Sequence, residues 1–171
     1  DTLLAETGID IEWLQSGLLL LGMDPEPLVM EWADHNRCAL QGVDATQLES
    51  LEPRLALEAP ASLLLPDVAQ IRNPRLGAAL RRSLTDQGVV IHEHAAVTGF
   101  RVSANELQGV TTTQGNFSAQ RVVVAGGAWS GPLLAMLEFS LPVKPVKGQM
   151  IQYQTSPGLV RHIVLYEDHY L

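Results

Sequence analysis

Hydrophobic and polar positions divide the first part of the chain into short segments of different period. Residues 9–14 alternate apolar and polar side chains, which is the period of a half-buried strand, and residues 18–22 return as a mostly apolar run. Gln15-Ser16-Gly17 between them is typical of a turn, so the two segments are predicted to form a hairpin. Residues 1–8 are interpreted as the last turns of a helix that Gly8 ends.

Two helices and a connection are predicted next. Asp24-Pro25, a capping residue followed by proline, opens a helix that runs to about His35. Asp44 opens a shorter helix that ends near Leu51. Residues 52–66 contain three prolines and are predicted to connect two lobes of the protein.

The following stretch predicts a helix, a strand and a meander. Asn73-Pro74 begins the helix and Gly88 ends it. Val89-Val90-Ile91 is a continuous apolar run, as expected of a strand buried on both faces. Three alternating segments separated by two short turns then predict an antiparallel meander. These segments are Val97–Val102, Glu106–Thr113 and Asn116–Gln120.

A glycine-rich turn follows the next predicted strand. That buried strand is Arg121–Ala125, the turn is residues 126–131, and a helix is predicted from there to about Phe139. Residues 149–154 and 163–166 predict further strands. In α/β proteins a strand, a glycine turn and a helix bring the main chain close to a nucleotide, because glycine has no Cβ. A tight turn without a ligand explains the same glycines, and the chain contains no GxGxxG fingerprint.

Composition and charge narrow the class of protein. Of the 171 residues, 46% are hydrophobic and 18% are charged, so the chain can bury a core. The net charge of −8 argues against nucleic acid as a partner, because phosphate contacts need clustered Lys and Arg. The single cysteine, Cys38, excludes a disulfide within the chain and a thiolate zinc cluster.

The sequence offers no membrane span or targeting signal. Its longest apolar run, Leu18–Leu21, is far shorter than the roughly 20 residues that a span needs. Without a signal-peptide pattern, a cytoplasmic location is expected. The chain opens within a helical pattern and stops at Tyr170-Leu171 within an apolar, strand-like run. It is therefore interpreted as a portion of a longer protein.

Two further groups of residues have side chains that could form sites. His92 and His94 stand two apart on a predicted strand, so both point to one face and could bind a metal ion. The sequence supplies no third ligand beside them, and a pair of surface histidines is favoured, so no metal site is predicted. Ser130 lacks the G-x-S-x-G spacing of a nucleophile elbow and is assigned to the first turn of the helix.

The order of these elements resembles a known family. A strand, a meander, a strand and AGGAWSG (residues 125–131), followed by LPVKPVKGQ (residues 141–149), is similar to the D-amino-acid oxidase superfamily. The chain resembles in particular the bacterial glycine oxidases of thiamine biosynthesis. Further matching stretches are ETGID (6–10), HEHAAV (92–97) and LYEDHY (165–170).

The resemblance implies FAD as the cofactor and assigns roles to several residues. Val97 matches the residue whose main chain meets the adenine, and Tyr170 matches a tyrosine that helps to hold the substrate carboxylate. The turn that packs beside the dinucleotide is matched by Ala125, Gly126 and Gly127. The family's GxGxxG unit is expected upstream of this chain, and its substrate-binding arginine downstream. The chain alone is therefore expected to bind FAD weakly or not at all, and to be inactive.

Together these observations predict an α/β fold of two lobes. Residues 66–140 are predicted to form part of a Rossmann-like FAD-binding domain with an antiparallel meander. Residues 9–60 and 141–171 are predicted to contribute a mostly antiparallel substrate-domain sheet.

The resemblance implies an FAD-dependent enzyme that oxidatively deaminates glycine, sarcosine or a D-amino acid by hydride transfer to the flavin, giving an imine and hydrogen peroxide. One open alternative is a D-amino-acid or sarcosine-type dehydrogenase that uses another electron acceptor. Another is a non-catalytic module with a degenerate nucleotide fold. The sequence leaves the oligomeric state open, including a homo-oligomer.

Overall fold

The computed structural model of the chain describes residues 2–56 and 61–171. Its helices are α1 (Thr2–Thr7), α2 (Pro27–His35), α3 (Ala45–Leu51), α4 (Asn73–Asp86) and α5 (Ser130–Ala135), with a turn of 3-10 helix at Gly127–Trp129. Its strands are β1 (Leu18–Leu21), β2 (Gln41–Asp44), β3 (Ala61–Leu65), β4 (Val97–Ser103), β5 (Glu106–Thr112), β6 (Gly115–Ser118), β7 (Ile163–Tyr166) and β8 (His169–Tyr170).

The chain separates into two compact units. One unit comprises Asp1–Val89 and Tyr153–Leu171, and the other comprises Val90–Gln152. Helices α1 to α4 and strands β1 to β3, β7 and β8 belong to the first unit. The meander β4 to β6, the 3-10 turn and α5 belong to the second. Among the residues that the structure describes, no helix is long and apolar enough to cross a membrane.

The first unit is built on strand β1. Within the described residues its sheet has five strands in the order β2-β3-β1-β7-β8, and β1 pairs antiparallel with β3 and parallel with β7. All four residues of β1 are leucines, so β1 presents leucine to both faces of the sheet. Leu19 and Leu21 are buried and pack in a cluster with Val43, Leu48 and Val164. Burial of each such side chain contributes roughly 1.5–3 kcal/mol to the free energy of unfolding. Since two of the buried residues of the cluster belong to β1, this strand lies at the centre of the core.

The predicted hairpin of residues 9–14 with residues 18–22 is wrong. Residues 9–14 form no strand beyond a single bridge, in which the main chains of Leu14 and Gln70 exchange hydrogen bonds of 3.0 and 2.8 Å. Glu12 has a φ of +55°, which breaks the extended conformation. The alternating period holds for Ile9, which is half-buried, and Ile11, which is buried, whereas Trp13 is exposed. Such a period indicates which face of a segment is buried and does not indicate the partner of the segment.

The predicted connection of residues 52–66 contains a strand. Residues 61–65 form β3, which pairs with β1 on one side and with β2 on the other. Pro66 lies just past the strand and Pro53 well before it, so the proline content marks the flanks of β3 and not its interior. Residues 57–60, which the same prediction covered, lie outside the described residues.

The helix boundaries follow capping chemistry. Helix α3 starts as predicted, because Asp44 forms a capping box in which its carboxylate accepts from the Gln47 N–H and the Gln47 side chain accepts from the Asp44 N–H. Helix α2 ends at His35 as predicted but starts at Pro27, with Glu26 as the N-cap, and not at Pro25. Proline fits the first turn of a helix whether the helix starts at Pro25 or at Pro27, so the sequence does not distinguish the two starts.

The remaining helical predictions are close to the structure. Helix α4 begins at Asn73, with Arg72 in the capping position and proline in the first turn. Gly8 and Gly88 end α1 and α4, donating to the carbonyls of Leu4 and Thr85 at 2.8 and 3.0 Å. The helix after the glycine-rich turn is shorter than predicted, since α5 stops at Ala135.

The second unit contains the predicted meander. Strands β4, β5 and β6 form a three-stranded antiparallel sheet in the described part of the chain, with irregularities in the β4–β5 register. Gly109 in β5 lies so close to the main chain of Phe117 that an added Cβ would overlap the carbonyl oxygen. The position therefore requires glycine.

Three strands predicted from apolar runs are absent from the described residues. Val89–Ile91, Arg121–Ala125 and residues 149–154 adopt no regular strand, and Val90 and Val123 are 74% and 88% exposed. Without a neighbouring segment to complete a ladder, an apolar run satisfies no strand hydrogen bonds. The strand predicted at residues 163–166 is confirmed as β7. The predicted α/β class, with a mostly antiparallel sheet and a separate meander, is confirmed.

Asp44, which caps α3, and Asp24, which does not cap α2, provide a matched pair for measuring the capping box. We expect Asp44→Ala to lower the free energy of unfolding by about 1 kcal/mol, because the Gln47 N–H loses its acceptor. Asp24→Ala should change it by less than about 0.5 kcal/mol, because Asp24 does not cap α2. Urea denaturation of both variants measures the difference. Equal losses would contradict the assigned helix starts.

Candidate functional site

The glycine turn of the second unit exposes main chain. Ala125 and Gly127 are exposed, and Gly127 has a φ of +55° at the start of the 3-10 turn. The carbonyl of Gly126 accepts from the Trp129 N–H at 3.0 Å, which closes the turn. A Cβ added at Gly127 would meet nothing within 4 Å, so the space beside the turn is open. The turn can therefore admit a ligand against its main chain.

A third glycine of the same motif serves packing. A Cβ added at Gly131, at the start of α5, would lie 2.6 Å from the Val143 carbonyl oxygen and 3.2 Å from that of Leu141. No Cβ fits there, so Gly131 is needed for the close approach of the segment that follows α5. Gly126 is also restricted, since a Cβ there would lie 3.2 Å from Leu133 Cδ1. Close packing therefore accounts for Gly131, whereas Gly127 has open surroundings and a positive φ that suits a tight turn as well as a ligand.

Val97 is the first residue of β4. It is half-buried and pairs with Thr112, and a register irregularity follows it before Gly99. The preceding carbonyl, of Ala96, accepts from the Thr113 N–H at 2.9 Å. Val97 belongs to the same unit as the glycine turn. Its contact with the adenine of a cofactor stays a prediction.

Tyr170 belongs to the first unit and lies on the short strand β8. It pairs with Leu165 of β7, and the side chains of β8 are exposed, Tyr170 by 62%. Its hydroxyl is thus accessible to a small molecule. Its role in holding a substrate carboxylate stays a prediction.

The two histidines weighed as metal ligands have structural contacts. The ring of His92 lies against that of Phe117, with centroids 4.5 Å apart and planes tilted by 53°. His94 has a φ of +58°, and its carbonyl accepts from the Thr113 hydroxyl at 3.0 Å. Residues 2–56 and 61–171 contain no group of three or more His, Cys, Asp or Glu that could hold a metal ion. The tilted ring contact of His92 and the turn at His94 give both residues a structural role.

The first unit contains a buried carboxylate that the sequence does not predict. Glu52, directly after α3, is 3% exposed, and its Oε1 accepts from the main-chain N–H groups of Arg161 and His162, each at 2.7 Å. His162 Nδ1 lies 2.8 Å from the same oxygen. Because a carboxylate only accepts, Nδ1 must carry the proton in this contact.

No sequence signal points to this cluster. A glutamate after a helix and before a proline is usually solvent-exposed, and the donors lie 109 and 110 residues further along the chain. Only the fold brings them together.

Comparison with known proteins identifies the family. The DAO family, FAD dependent oxidoreductase, matches residues 1–170. Glycine oxidase of Pseudomonas putida is 36% identical over 171 residues, which covers 99% of this chain and 47% of that protein. Hydrogen cyanide synthase subunit HcnC of Pseudomonas protegens is 28% identical over 170 residues, covering 95% of this chain and 41% of the subunit.

Solved structures give the same result. The crystal structure of glycine oxidase from Geobacillus kaustophilus superposes with a TM-score of 0.85 at 28% identity, over 98% of this chain and 46% of that one. The chain thus spans about half the length of the relatives it matches. The resemblance inferred from the motif order is confirmed, and with it FAD as the cofactor of the full-length relatives. The chain belongs to the DAO family of FAD dependent oxidoreductases.

Proposed function

We propose that the protein containing this chain oxidises a small amino acid or amine with FAD, its substrate being glycine, sarcosine or a D-amino acid. The observation that carries the proposal is agreement of sequence and structure over nearly the whole chain. The chain is 36% identical to one glycine oxidase over 99% of its length and superposes on another with a TM-score of 0.85. A shared fold alone would support less, because one fold hosts many activities.

The second unit offers main chain suited to FAD. In the turn at Ala125, Gly126 and Gly127, the first and last residues are exposed and the space beside Gly127 is open, which fits the close approach of a dinucleotide. Val97 needs to supply only its main-chain N–H and C=O to the adenine, so an apolar side chain suits the position. In this proposal residues 66–140 belong to the FAD-binding domain. Residues 9–60 and 141–171 belong to the substrate domain.

In the first unit, Tyr170 is proposed to hold the substrate. Its exposed hydroxyl can donate a hydrogen bond to the substrate carboxylate and so orient the α-carbon. When bound, FAD would supply the redox chemistry, which in this proposal is hydride transfer from the substrate with oxygen as the final electron acceptor. The chain's residues then need to bind and orient the substrate, and no general base is required of them.

Flavin retention and peroxide formation test the proposal directly. The intact protein, incubated with FAD and desalted, should keep the absorbance bands of oxidised flavin and form peroxide with glycine, sarcosine or D-alanine. The 171-residue chain alone is expected to keep little or no flavin, because it spans about half of its relatives.

The other outcomes separate the alternatives. Flavin bands that bleach with substrate and transfer electrons to a dye without peroxide would favour a dehydrogenase. An intact protein that keeps no flavin would overturn the proposal and favour a non-catalytic module.

The glycine turn can be probed with an added charge. Ala125→Glu should weaken FAD binding by the intact protein roughly tenfold or more, because its carboxylate would repel the cofactor phosphates at short range. The control is Ala104→Glu, which adds the same exposed charge in the β4–β5 turn. Fluorescence titration with FAD measures both affinities. If the two variants bind FAD equally well, the turn does not contact the cofactor.

Tyr170 can be tested by removing its hydroxyl. Tyr170→Phe should raise KM for glycine about tenfold or more, because a hydrogen bond to a charged group contributes about 1.5–3 kcal/mol. Tyr166→Phe on the neighbouring strand β7 is the matched control and should leave KM within about twofold. Steady-state peroxide assays give both values. An unchanged KM in Tyr170→Phe would remove Tyr170 from the substrate site.

A further inference from the structure

We propose that Glu52 is a positioning residue, which fixes the start of strand β7 and through it the place of Tyr170. The inference rests on the substrate-binding role proposed for Tyr170. Glu52 itself contacts neither strand β8 nor any group proposed to react. Its effect passes through the main chain of residues 161–171.

Three donors converge on one carboxylate oxygen. The N–H groups of Arg161 and His162 lie 2.7 Å from Glu52 Oε1, and His162 Nδ1 lies 2.8 Å from it. Bonds to an ionised acceptor are shorter and about twice as strong as neutral ones. Two successive main-chain N–H groups held by one atom leave the peptide between them little freedom. The two residues immediately before β7 are thereby fixed.

Glu52 is itself held on a rigid support. Its N–H donates to the Leu48 carbonyl at 2.8 Å, and its own carbonyl accepts from the Leu55 N–H at 3.0 Å. Leu48 is buried in the core cluster, and the other end of α3 is closed by the capping box at Asp44. The carboxylate therefore projects from a fixed helix end.

The position of β7 determines that of β8. Ile163 follows the clamped residues, and its N–H donates to the Gly17 carbonyl at 3.0 Å, which starts the parallel pairing with β1. Leu165 pairs with Tyr170, and the main chains of Val164 and Leu171 exchange hydrogen bonds of 3.1 and 2.8 Å. A slip of β7 by one residue would turn every side chain of the hairpin to the other face.

A buried charge at this place is a costly way to stabilise a core. Removing a carboxylate from water carries a penalty that an apolar side chain avoids, and apolar replacements of buried ion pairs are often as stable. What the carboxylate adds at Glu52 is direction, because its Oε1 accepts from three donors that must all lie around that oxygen. That property suits a residue whose task is to set the register of a strand.

Hydrogen exchange in the intact protein tests the structural half of the inference. Glu52→Gln keeps the shape of the side chain and an acceptor oxygen, so the fold is retained. Truncation of the side chain would instead leave buried donors without an acceptor. We expect amide exchange at Arg161, His162 and Leu171 to quicken about tenfold, reporting easier local opening. Glu49→Gln, an exposed position on the same helix, removes the same charge and should leave those amides unchanged.

Kinetics test the functional half. Glu52→Gln should raise KM for glycine roughly tenfold with a smaller change in kcat, because the neutral amide holds residues 161 and 162 less firmly and Tyr170 is then placed less precisely against the substrate carboxylate. In the double variant with Glu52→Gln and Tyr170→Phe, KM should be no higher than in Tyr170→Phe alone. Both substitutions act on the same interaction, the hydrogen bond of Tyr170 to the substrate, so their effects do not add. A loss of general stability would instead multiply the two effects.

The outcomes are distinct from failure of the proposed function. If the parent protein does not oxidise glycine, sarcosine or D-alanine, the proposed function fails, and exchange at Leu171 decides whether Glu52 positions the hairpin. If the parent is active, unchanged exchange at Leu171 in Glu52→Gln overturns the inference. Multiplied effects on KM in the double variant overturn it as well.

Discussion

The burial of strand β1 is the interaction on which the first unit depends. Its four leucines place apolar side chains on both faces, so β1 is stable only where strands flank it and other apolar groups cover it. β3 flanks it on one side and β7, whose residues follow their β1 partners by 145 positions, on the other. Because β7 must return to β1, the last segment of the chain is fixed in the same sheet as the first. The core cluster of Leu19, Val43 and Val164 joins side chains from three separate strands.

Apolar burial alone does not orient the returning segment. Leucine, valine and isoleucine side chains are compatible with more than one alignment, and parallel pairing tolerates slippage unless something pins it. In this unit the group proposed to fix the register is polar. Glu52 accepts hydrogen bonds from two main-chain N–H groups and from a histidine ring immediately before β7 begins. Apolar burial, which is non-directional, brings the strands together. The hydrogen bonds of Glu52, which are directional, select the register. Tyr170 lies at the end of that hairpin, so its accessibility is a consequence of both.

The second unit does not depend on a buried central strand. Its meander supplies its own hydrogen-bond partners, whereas the apolar runs on either side of it remain exposed and irregular. The glycine turn is small, open and set between one of these runs and α5. The chain belongs to an FAD-dependent family, and contact between this turn and the cofactor is the role proposed for it. Gly131 shows that not every glycine of the motif serves that purpose, because packing alone requires it.

Sequence determined the local features and the family. The capping box at Asp44, the helix end at Gly88 and the meander follow from interactions within a few residues, which a sequence displays directly. The motif order identified the family, and with it FAD and the candidate residues Val97 and Tyr170, whose roles stay predictions. Tertiary structure decided which segments pair: β1 with β3 and β7, and no strand at residues 121–125. It also decided that Glu52 is buried with donors from the far end of the chain. Periodicity records which face of a segment is buried, but the choice of partner depends on interactions between distant residues, which no local pattern contains.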